Sequence, residues 1–331
     1  MNYIGSKLKL SSFIQDTVEG VVGIDLKDKV FCDIFAGTSI IGRVFKSRVK
    51  KVISNDLEYF SYILSRNYIG NNKEIPNYRN IIESLNEVES TKEGFIYQNY
   101  CLGSGSGRQY FSDENGKKID AIREEINRYK GANPDIYFFL LASLLESSDK
   151  VANTASIYGA FLKELKRTAR KPLILEPALF EESNNLHEIY HEDSNTLIKK
   201  IEGDILYLDP PYNARQYGAN YHLLTTIARY DTFIPKGKTG LREYFKSDYC
   251  TTKKVSQSFE ELIKEANFKY IFLSYNNEGL MSEEVIKTIM SRYGRYNLVK
   301  KKYQRFKADK TENRNHKAKS TYEYLHILEK Y

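Results

Sequence analysis

"GDILYLDPPY", residues 203–212, is an apolar run that stops at an acidic residue, two prolines and a tyrosine. The apolar part has the length and composition of a buried strand. Each proline fixes its own φ, so residues 209–212 form a stiff segment. A turn needs only one proline. The four residues at the end of this strand therefore indicate a functional site.

The same pattern, a strand that ends in polar residues and leads into a helix, recurs on both sides of this segment. It is found in "KVFCDIFAGTSIIGRVF" (29–45), "KKVISNDLEYFSYILSRNYI" (50–69) and "KYIFLSYNNEGL" (269–280), and two further strands are expected near 297–306 and 321–329. Alternating strands and helices predict an α/β fold with a mainly parallel sheet covered on both faces. Ligands bind such sheets beyond the carboxyl ends of the strands.

Residues 71–186 interrupt this alternation. They contain "GSGSGRQYF" (103–111) and two stretches with helical composition, "GKKIDAIREEINRYK" and "DIYFFLLASLLESSDKVAN". We interpret the segment as a mostly helical insertion, which leaves 1–70 and 187–331 as the main domain. The glycine-rich stretch is either a mobile loop without function or, with Arg108 and Tyr110, a segment that wraps around DNA.

Composition narrows the classes of protein. The net charge is +7 with a pI near 8.9, and Lys and Arg are concentrated in 163–171 and 299–319, which favours a polyanionic partner or else an ordinary solvated surface. The three cysteines lack metal-binding spacing and fit a reducing cytoplasm. The histidines show no ligand grouping, so we expect no metal. No apolar run approaches the length of a membrane span.

The loop after the first strand, "DIFAGTSIIG" (33–42), has small residues at the position of a ligand-binding turn. Gly37 allows the backbone to approach a ligand closely. The full G-x-G-x-x-G pattern of dinucleotide enzymes is absent. Asp56 follows the second strand, where its carboxylate either binds two ribose hydroxyls or caps the next helix.

Residues 209–212 suit methylation of an exocyclic amino group on a base. Such a nitrogen is a poor nucleophile because its lone pair is delocalised into the ring. Asp209 and the carbonyl of Pro210 can each accept one N–H, which favours a pyramidal nitrogen, and the prolines hold both acceptors in place. Tyr212 can stack on a base taken out of the duplex. The methyl donor would be a sulfonium compound.

On these residues the chain resembles the D12-class, Dam-like N6-adenine DNA methyltransferases of restriction–modification systems, over nearly its whole length. The resemblance implies a Rossmann-like methyltransferase sheet, mixed but mainly parallel, S-adenosylmethionine as donor, and a target-recognition domain in 71–186. It implies adenine because the motif opens with Asp. "NYIGSK" (2–7) matches the family's N-terminal segment, "FAGTS" matches its F-x-G-x-G loop except at Ser39, and "HEDSNTLI" (191–198) lies where relatives bind the cofactor's adenine.

The resemblance assigns two groups of residues. The catalytic residues are Asp209, Pro210, Pro211 and Tyr212. The cofactor-binding residues are Tyr3, Lys7, Asp33, Phe35, Ala36, Gly37, Thr38, Asp56, Leu57, Asp193, Ser194 and Asp209. Position and charge suggest candidates for DNA binding, namely Arg108, Asn213, Arg215, Tyr217, Lys300, Lys301, Lys302, Arg305 and Lys307. Two alternatives stay open: Asn213, Arg215 and Tyr217 hold their loop to the protein instead, or the basic stretch 300–319 is disordered without such a role.

The expected partners are double-stranded DNA and a cognate restriction endonuclease. His222 is expected to be structural, since the reaction needs no imidazole. Two alternatives remain open: a cytosine-N4 or RNA-base methyltransferase of the same fold, and a DNA-binding protein without catalysis.

Overall fold

The computed structural model describes residues 6–304 and 320–331, and contacts divide these residues into two compact units. The sheet unit comprises the described residues up to Ser65, residues 183–216, and the described residues from Phe245 onward. The helical unit comprises Arg66–Glu182 and Tyr217–Tyr244. Each unit is described separately below.

The sheet unit contains one seven-stranded sheet in the order β3-β2-β1-β4-β5-β7-β6. Its strands are β1 Val30–Asp33, β2 Lys51–Asn55, β3 Glu188–Tyr190, β4 Glu202–Leu208, β5 Asn267–Asn276, β6 Gly294–Gln304 and β7 Ser320–Lys330. The first five in chain order are parallel where they pair, and β7 is antiparallel to β5 and β6. The prediction of a mixed, mainly parallel α/β sheet is confirmed. Only the three-residue β3 was not predicted, because it has no apolar run.

Side chains that alternate along the strands cover both faces of this sheet. On one face Phe31 stacks on Phe45 at 4.1 Å between ring centroids, which places helix α2 (Ile40–Lys46) there. On the other face Cys32, Leu206 and Ile271 pack into a buried cluster with residues of α11 (Val255–Glu265) and α12 (Glu283–Ser291). The helices of this unit are α1 Ser11–Val22, α2 Ile40–Lys46, α3 Tyr59–Ser65, α8 Ser194–Leu197, α11 Val255–Glu265 and α12 Glu283–Ser291.

The helical unit contains α4 Tyr78–Glu87, α5 Phe95–Tyr100, α6 Asp113–Asn127, α7 Pro134–Val151, α9 Tyr217–Asn220 and α10 His222–Arg229. Ser112 and Asn133 cap α6 and α7, and each side chain accepts a backbone N–H of the first turn. The two helices predicted from sequence correspond to α6 and α7. Residues 152–182 contain no helix or strand.

Buried Arg123 of α6 links the two chain segments of the helical unit. Its guanidinium donates hydrogen bonds to the carbonyls of Ile227 and Ala228, both at 2.9 Å. The segment 217–244 therefore packs with α6, whereas the sequence interpretation grouped it with the main domain. The functional division into a catalytic and a target-recognition domain stays a prediction.

Candidate active site

Asp209 lies directly beyond β4, where it forms a buried ion pair with Lys7. The Lys7 ammonium is 2.9 Å from Asp209 Oδ1, and the exposed fractions of the two side chains are 5% and 17%. Burial raises the pKa of Asp209 to about 6, Lys7 lowers it, and Glu323 raises it. Burial alone would lower the pKa of Lys7, but the carboxylates of Asp209 and Glu323 keep it well above its ordinary value. Lys7 therefore stays charged, and the raised pKa of Asp209 means that this carboxyl group changes its protonation near pH 6.

Glu323 completes this cluster from the antiparallel strand β7. Its Oε1 is 3.3 Å from the Lys7 ammonium, and the Ser274 hydroxyl on β5 donates to the same oxygen at 2.7 Å. Glu323 and Ser274 are both buried. Their position follows from the register, because β7 lies beside β5 at the carboxyl end of the parallel strands. The sequence analysis did not assign Glu323. A charged residue inside an apolar strand was the signal that could have identified it.

Asp33, at the end of β1, is buried and has only part of its hydrogen-bonding capacity satisfied. Burial raises its pKa well above the ordinary value, and the charges of Asp209 and Asp56 raise it further. Its Oδ1 has no hydrogen-bond partner among the described residues. A buried, unpartnered carboxyl oxygen is a favourable acceptor for a cationic group of a ligand, and such a cation would ionise Asp33.

The loop after β1 adopts a left-handed backbone at two positions. Gly37 has φ 53° and Ser39 has φ 61°. The second position is where the family pattern has glycine, which adopts this conformation without steric cost. Ser39 is buried, and its hydroxyl hydrogen-bonds Ser65 Oγ at 2.7 Å, which offsets part of the strain. Ser39 therefore adopts the left-handed turn conformation although it departs from the F-x-G-x-G pattern.

Asp56 connects this loop to the end of β2. Its Oδ2 accepts the N–H of Gly37 at 2.7 Å and its Oδ1 accepts the N–H of Glu58 at 2.8 Å. Burial raises the pKa of Asp56 to about 6, and these backbone donors lower it. Each oxygen keeps a second lone pair for a ligand hydroxyl. The side chain thus orders the loop and remains suitable for binding a ribose.

Asn55, which the sequence analysis did not select, joins the loops after β1 and β3. Its amide nitrogen donates to the carbonyls of Ile34 and Glu192, both at 3.1 Å, and its amide oxygen accepts the N–H of Glu192 at 3.0 Å. A buried amide with three backbone partners fixes both loops. Its polar type at a buried strand end was the available signal.

The segment around Asp193 follows β3. The Asp193 carboxylate accepts the N–H of Thr196 at 3.0 Å and so caps the short helix α8, which begins at Ser194. His191 contacts the carbonyl of Leu57 at 2.9 Å through its Nε2. The assigned positions Asp193, Ser194 and Leu57 therefore lie at the carboxyl ends of neighbouring strands. In this structure Asp193 serves as a helix cap.

Aromatic rings flank the motif. Tyr212 packs edge-on against Tyr275 at 6.1 Å between centroids, and Lys7 lies 5.6 Å from the Tyr212 ring. The Tyr212 carbonyl accepts the N–H of Leu280 at 3.0 Å, which ties the loop after β5 to the motif. Phe35 contacts Tyr249 edge-on at 5.1 Å. Pro210 is buried, Pro211 is half-buried, and Ala36 and Thr38 belong to the loop after β1.

The candidates for DNA binding differ in what they contact. Asn213 Oδ1 accepts the N–H of Arg215, and the Arg215 side chain is exposed. Tyr217 belongs to the helical unit, where its ring lies near Tyr221. Arg108, in the same unit, donates to the carbonyls of Asn99 and Gly237 and is held by the protein itself.

Three exposed lysines follow one another on β6. Lys300 forms an ion pair with Glu283 at 2.8 Å, whereas Lys301 lies over the ring of Phe13 on α1 at 5.0 Å. Neighbouring residues of a strand point to opposite faces, so Lys300 and Lys302 share one face and Lys301 is on the other. Tyr3, Arg305 and Lys307, and most of the basic stretch 299–319, lie outside the described residues.

In chemical terms, the site consists of Asp33, Asp56 and Asp209 at the carboxyl ends of β1, β2 and β4, together with Lys7, which pairs with Asp209 and with Glu323 of β7. Such a set can accept hydrogen bonds from an amino group and from ribose hydroxyls. His222 lies elsewhere, in the helical unit, where it is buried beside the carbonyl of Tyr158 at 3.1 Å. Within 6–304 and 320–331, no group of three or more potential metal ligands is found, and no helix is long and apolar enough to span a membrane.

Comparisons with known proteins show the family to which the chain belongs. The family model for the D12 class N6 adenine-specific DNA methyltransferases matches residues 3–289. The chain is 64% identical over 333 residues to the type II methyltransferase M.NlaIII of Neisseria lactamica, a match that covers 100% of this chain and 99% of that protein. It is 41% identical to the type II methyltransferase M.FokI of Planomicrobium okeanokoites, covering 100% of this chain and 53% of that protein. Identity to the type II methyltransferase M.CviAII of Paramecium bursaria Chlorella virus 1 is 39%, and 93% of each chain is covered.

Proposed function

Because the chain belongs to the D12 class of N6-adenine-specific DNA methyltransferases, we propose that it transfers a methyl group from S-adenosylmethionine to an adenine flipped out of double-stranded DNA. The observation that carries this proposal is Asp209, fixed by Lys7 at the end of β4 and followed by two prolines. An acceptor held in place before the substrate arrives lowers the barrier without reorganisation during the reaction.

The residues at the carboxyl ends of the strands suit this cofactor. Asp33 offers an unpartnered, buried oxygen to the cationic amino group, and Asp56 offers lone pairs to the ribose hydroxyls. The Gly37 turn allows a close approach of the backbone. Ser194, Leu57 and the Phe35 ring complete the proposed binding residues on neighbouring loops. When bound, the cofactor supplies an electrophilic methyl group.

Asp209 would act on the adenine amino group. Its pKa, raised by burial to about 6, leaves the carboxylate ionised at neutral pH. Lys7 contacts Oδ1, so Oδ2 is available to accept one N–H of the substrate. The Pro210 carbonyl would accept the other N–H. In the overall reaction the N–C bond forms as the S–C bond to the methyl group breaks, which leaves a neutral thioether, and one amino proton is released to water. Both acceptors stabilise the positive charge that develops on the nitrogen.

Base flipping gives Tyr212 its role. An adenine inside the duplex cannot bring its amino group to a buried carboxylate, so the base must leave the stack. Stacking on an aromatic ring contributes about 1–3 kcal/mol per base, which offsets part of the cost of unstacking. Arg215 lies close after the motif, beyond Asn213 and Ala214, and is exposed, which suits contact with the DNA backbone.

The biological setting follows from the relatives. Several of them are type II methyltransferases, and such enzymes act in restriction–modification systems. We therefore infer a cognate endonuclease that cleaves the same site when it is unmethylated. Action on cellular DNA would place the protein in the cytoplasm. The helical unit would supply much of the target recognition.

The proposal is tested by identifying the product. The protein is incubated with S-adenosylmethionine and unmethylated duplex DNA, and the DNA is digested and analysed by mass spectrometry. N6-methyladenine is expected from the parent, with a loss of at least about 10²-fold in rate for Asp209→Ala. Thermal melting of the variant controls for folding. N4-methylcytosine as the product, or near-normal turnover by Asp209→Ala, would contradict the proposal.

A further inference from the structure

A segment of the helical unit presents an exposed group of cations. Residues 162–171, here called the basic loop, have no helix or strand. The loop carries five basic side chains and one acidic side chain, Glu164. The basic residues are Lys163, Lys166, Arg167, Arg170 and Lys171. Of these, Lys166 is partly buried, and the other four are exposed.

These cations lack the ion pairs that neutralise other basic residues of this unit. Lys150 pairs with Glu176, Lys117 with Glu93, and Lys92 with Glu124. Lys163, Arg167 and Lys171 have no carboxylate within ion-pair distance in 6–304 and 320–331. The loop therefore carries more basic than acidic charge, and none of these three cations is fixed in an ion pair with the described residues. A concentrated positive charge on an exposed surface attracts a polyanion.

The basic loop is held in one conformation by buried amide side chains. Asn153 donates to the carbonyl of Leu162 and accepts the N–H of Lys166, both at 3.0 Å. Asn115 donates to the carbonyl of Lys171 at 2.9 Å. Both amides are at most 2% exposed. Anchors at both ends and in the middle of an irregular segment restrict its backbone.

A third anchor comes from the glycine-rich stretch 103–111. Gln109, which is buried, donates to the carbonyl of Lys163 at 3.3 Å. The next residue, Tyr110, donates its hydroxyl to the carbonyl of Tyr158, just before the basic loop, at 2.7 Å. The glycine-rich stretch, which the sequence predicts to be either a mobile loop without function or a segment that wraps around DNA, thus helps to hold the backbone of the basic loop.

We propose that the basic loop binds the phosphate backbone of duplex DNA. This inference rests on the proposed use of duplex DNA as the substrate. Cations on a backbone that is already ordered lose less conformational entropy on binding than cations on a flexible loop. Phosphate contacts position a protein on the duplex without reading its sequence. The basic loop would therefore contribute affinity and orientation, while base recognition is left to other residues.

The test is a triple variant, Lys163→Ala, Arg167→Ala and Lys171→Ala. A matched control removes three exposed lysines that precede β1, β2 and β5, through Lys27→Ala, Lys50→Ala and Lys264→Ala. These positions lie at the amino ends of the strands, away from Asp209. Equilibrium binding is measured over a series of salt concentrations with an unmethylated duplex that contains the sequence the protein methylates. kcat and the KM for the same DNA are measured as well. A version with Lys163→Arg, Arg167→Lys and Lys171→Arg preserves the charge.

For the triple variant we expect a Kd about 10- to 100-fold higher than the parent's near 0.1 M salt. The slope of log K against log salt should decrease in magnitude by about 2 to 3, because each phosphate contact contributes about 0.9. kcat at saturating DNA should be unchanged, and the control and the charge-preserving variant should bind like the parent. An unchanged Kd and slope in the triple variant, or an equal loss in the control, would overturn the proposal. Product analysis of the parent is independent of these results, so a failure of the proposed function would be seen separately.

Discussion

Asp209 lies in the field of two opposite charges, those of Lys7 and Glu323. The Lys7 ammonium lowers its pKa, and the Glu323 carboxylate, which contacts the same ammonium, raises it. Because protonation removes the negative charge that would stabilise the positive charge developing on the substrate nitrogen, we expect the protonation of Asp209 to set the acidic limit of activity. The two neighbours should move this limit in opposite directions.

We predict an acid limb near pH 6 in kcat/KM for the parent, since this parameter reports the free enzyme. Lys7→Met removes the charge that lowers the pKa of Asp209, so the limb should move to higher pH. Glu323→Gln removes a charge that raises it, so the limb should move to lower pH. Rates measured from about pH 4.5 to 8 would show both shifts. Movement of both variants in the same direction would mean that the limb belongs to another group, such as Asp33.

A control for this pair is Ser274→Ala. The change deletes the hydroxyl that donates to Glu323 but leaves both charges in place. The acid limb of kcat/KM should therefore stay near the pH at which the parent shows it. If loss of the hydroxyl makes the position of Lys7 less fixed, kcat should fall without a shift of this limb. A shift as large as that of Glu323→Gln would show that geometry, and not charge, determines the titration.

The sequence identified one half of this cluster. The DPPY motif and the resemblance located Asp209 and Lys7, because both lie in local patterns that can be read along the chain. Glu323 is separated from Asp209 by more than a hundred residues, and only the register between β5 and β7 brings it to the site. Contacts that depend on strand register leave no trace in a local pattern.

At the scale of elements, the alternation of β6 divides its basic stretch between two surfaces. The register sets Lys301 opposite Glu323, so these lysines lie at the end of the sheet where the parallel strands have their carboxyl ends and where Asp209 is found. Lys300 and Lys302 share a face, and within residues 6–304 and 320–331 only Lys300 forms an ion pair, with Glu283 on α12. A lysine already paired with an acid gains less from a phosphate than an unpaired one.

We therefore predict that Lys302→Ala weakens DNA binding more than Lys300→Ala. Lys302→Ala should reduce the magnitude of the salt slope by about 1, and Lys300→Ala should reduce it by less. Affinity should fall equally for cognate and unrelated duplexes, because phosphate contacts carry no sequence information. Titrations with both duplexes provide the measurement. A loss confined to the cognate duplex would assign Lys302 to base recognition instead.

Most strand positions were predictable because β1, β2, β4 and β5 are apolar runs that end in a polar residue. Ser282 caps α12 by accepting the N–H of Val285, a role that serine commonly has at the start of a helix. The irregular segment 152–182 was not predictable. Its backbone is held by side chains distant in sequence, such as Asn115, rather than by its own periodicity.

At the scale of the whole molecule, burial shifts histidines and carboxylates in opposite directions. It lowers the pKa of three histidines to about 4, namely His187, His222 and His326. It raises the pKa of three aspartates to about 6, namely Asp56, Asp120 and Asp209. Between pH 6.5 and 4 the histidines bind protons in the unfolded chain but not in the folded chain, so they reduce the free energy of unfolding as the pH falls. Between pH 6 and 4 the aspartates bind protons in the folded chain but not in the unfolded chain, so they increase the free energy of unfolding as the pH falls.

Because these contributions oppose each other, we predict that the apparent Tm changes by less than about 5 °C between pH 7 and pH 5, while activity falls. Calorimetry at several pH values measures the change.

Two variants separate the opposing contributions of the histidines and the aspartates. His326→Leu removes a group that destabilises the fold in acid, so its Tm relative to the parent should rise as pH falls. Asp120→Asn removes a group that takes up a proton in the folded state, so its relative Tm should fall. A steep loss of Tm in the parent would mean that the histidines dominate, and the loss of activity in acid would then reflect unfolding rather than protonation of Asp209.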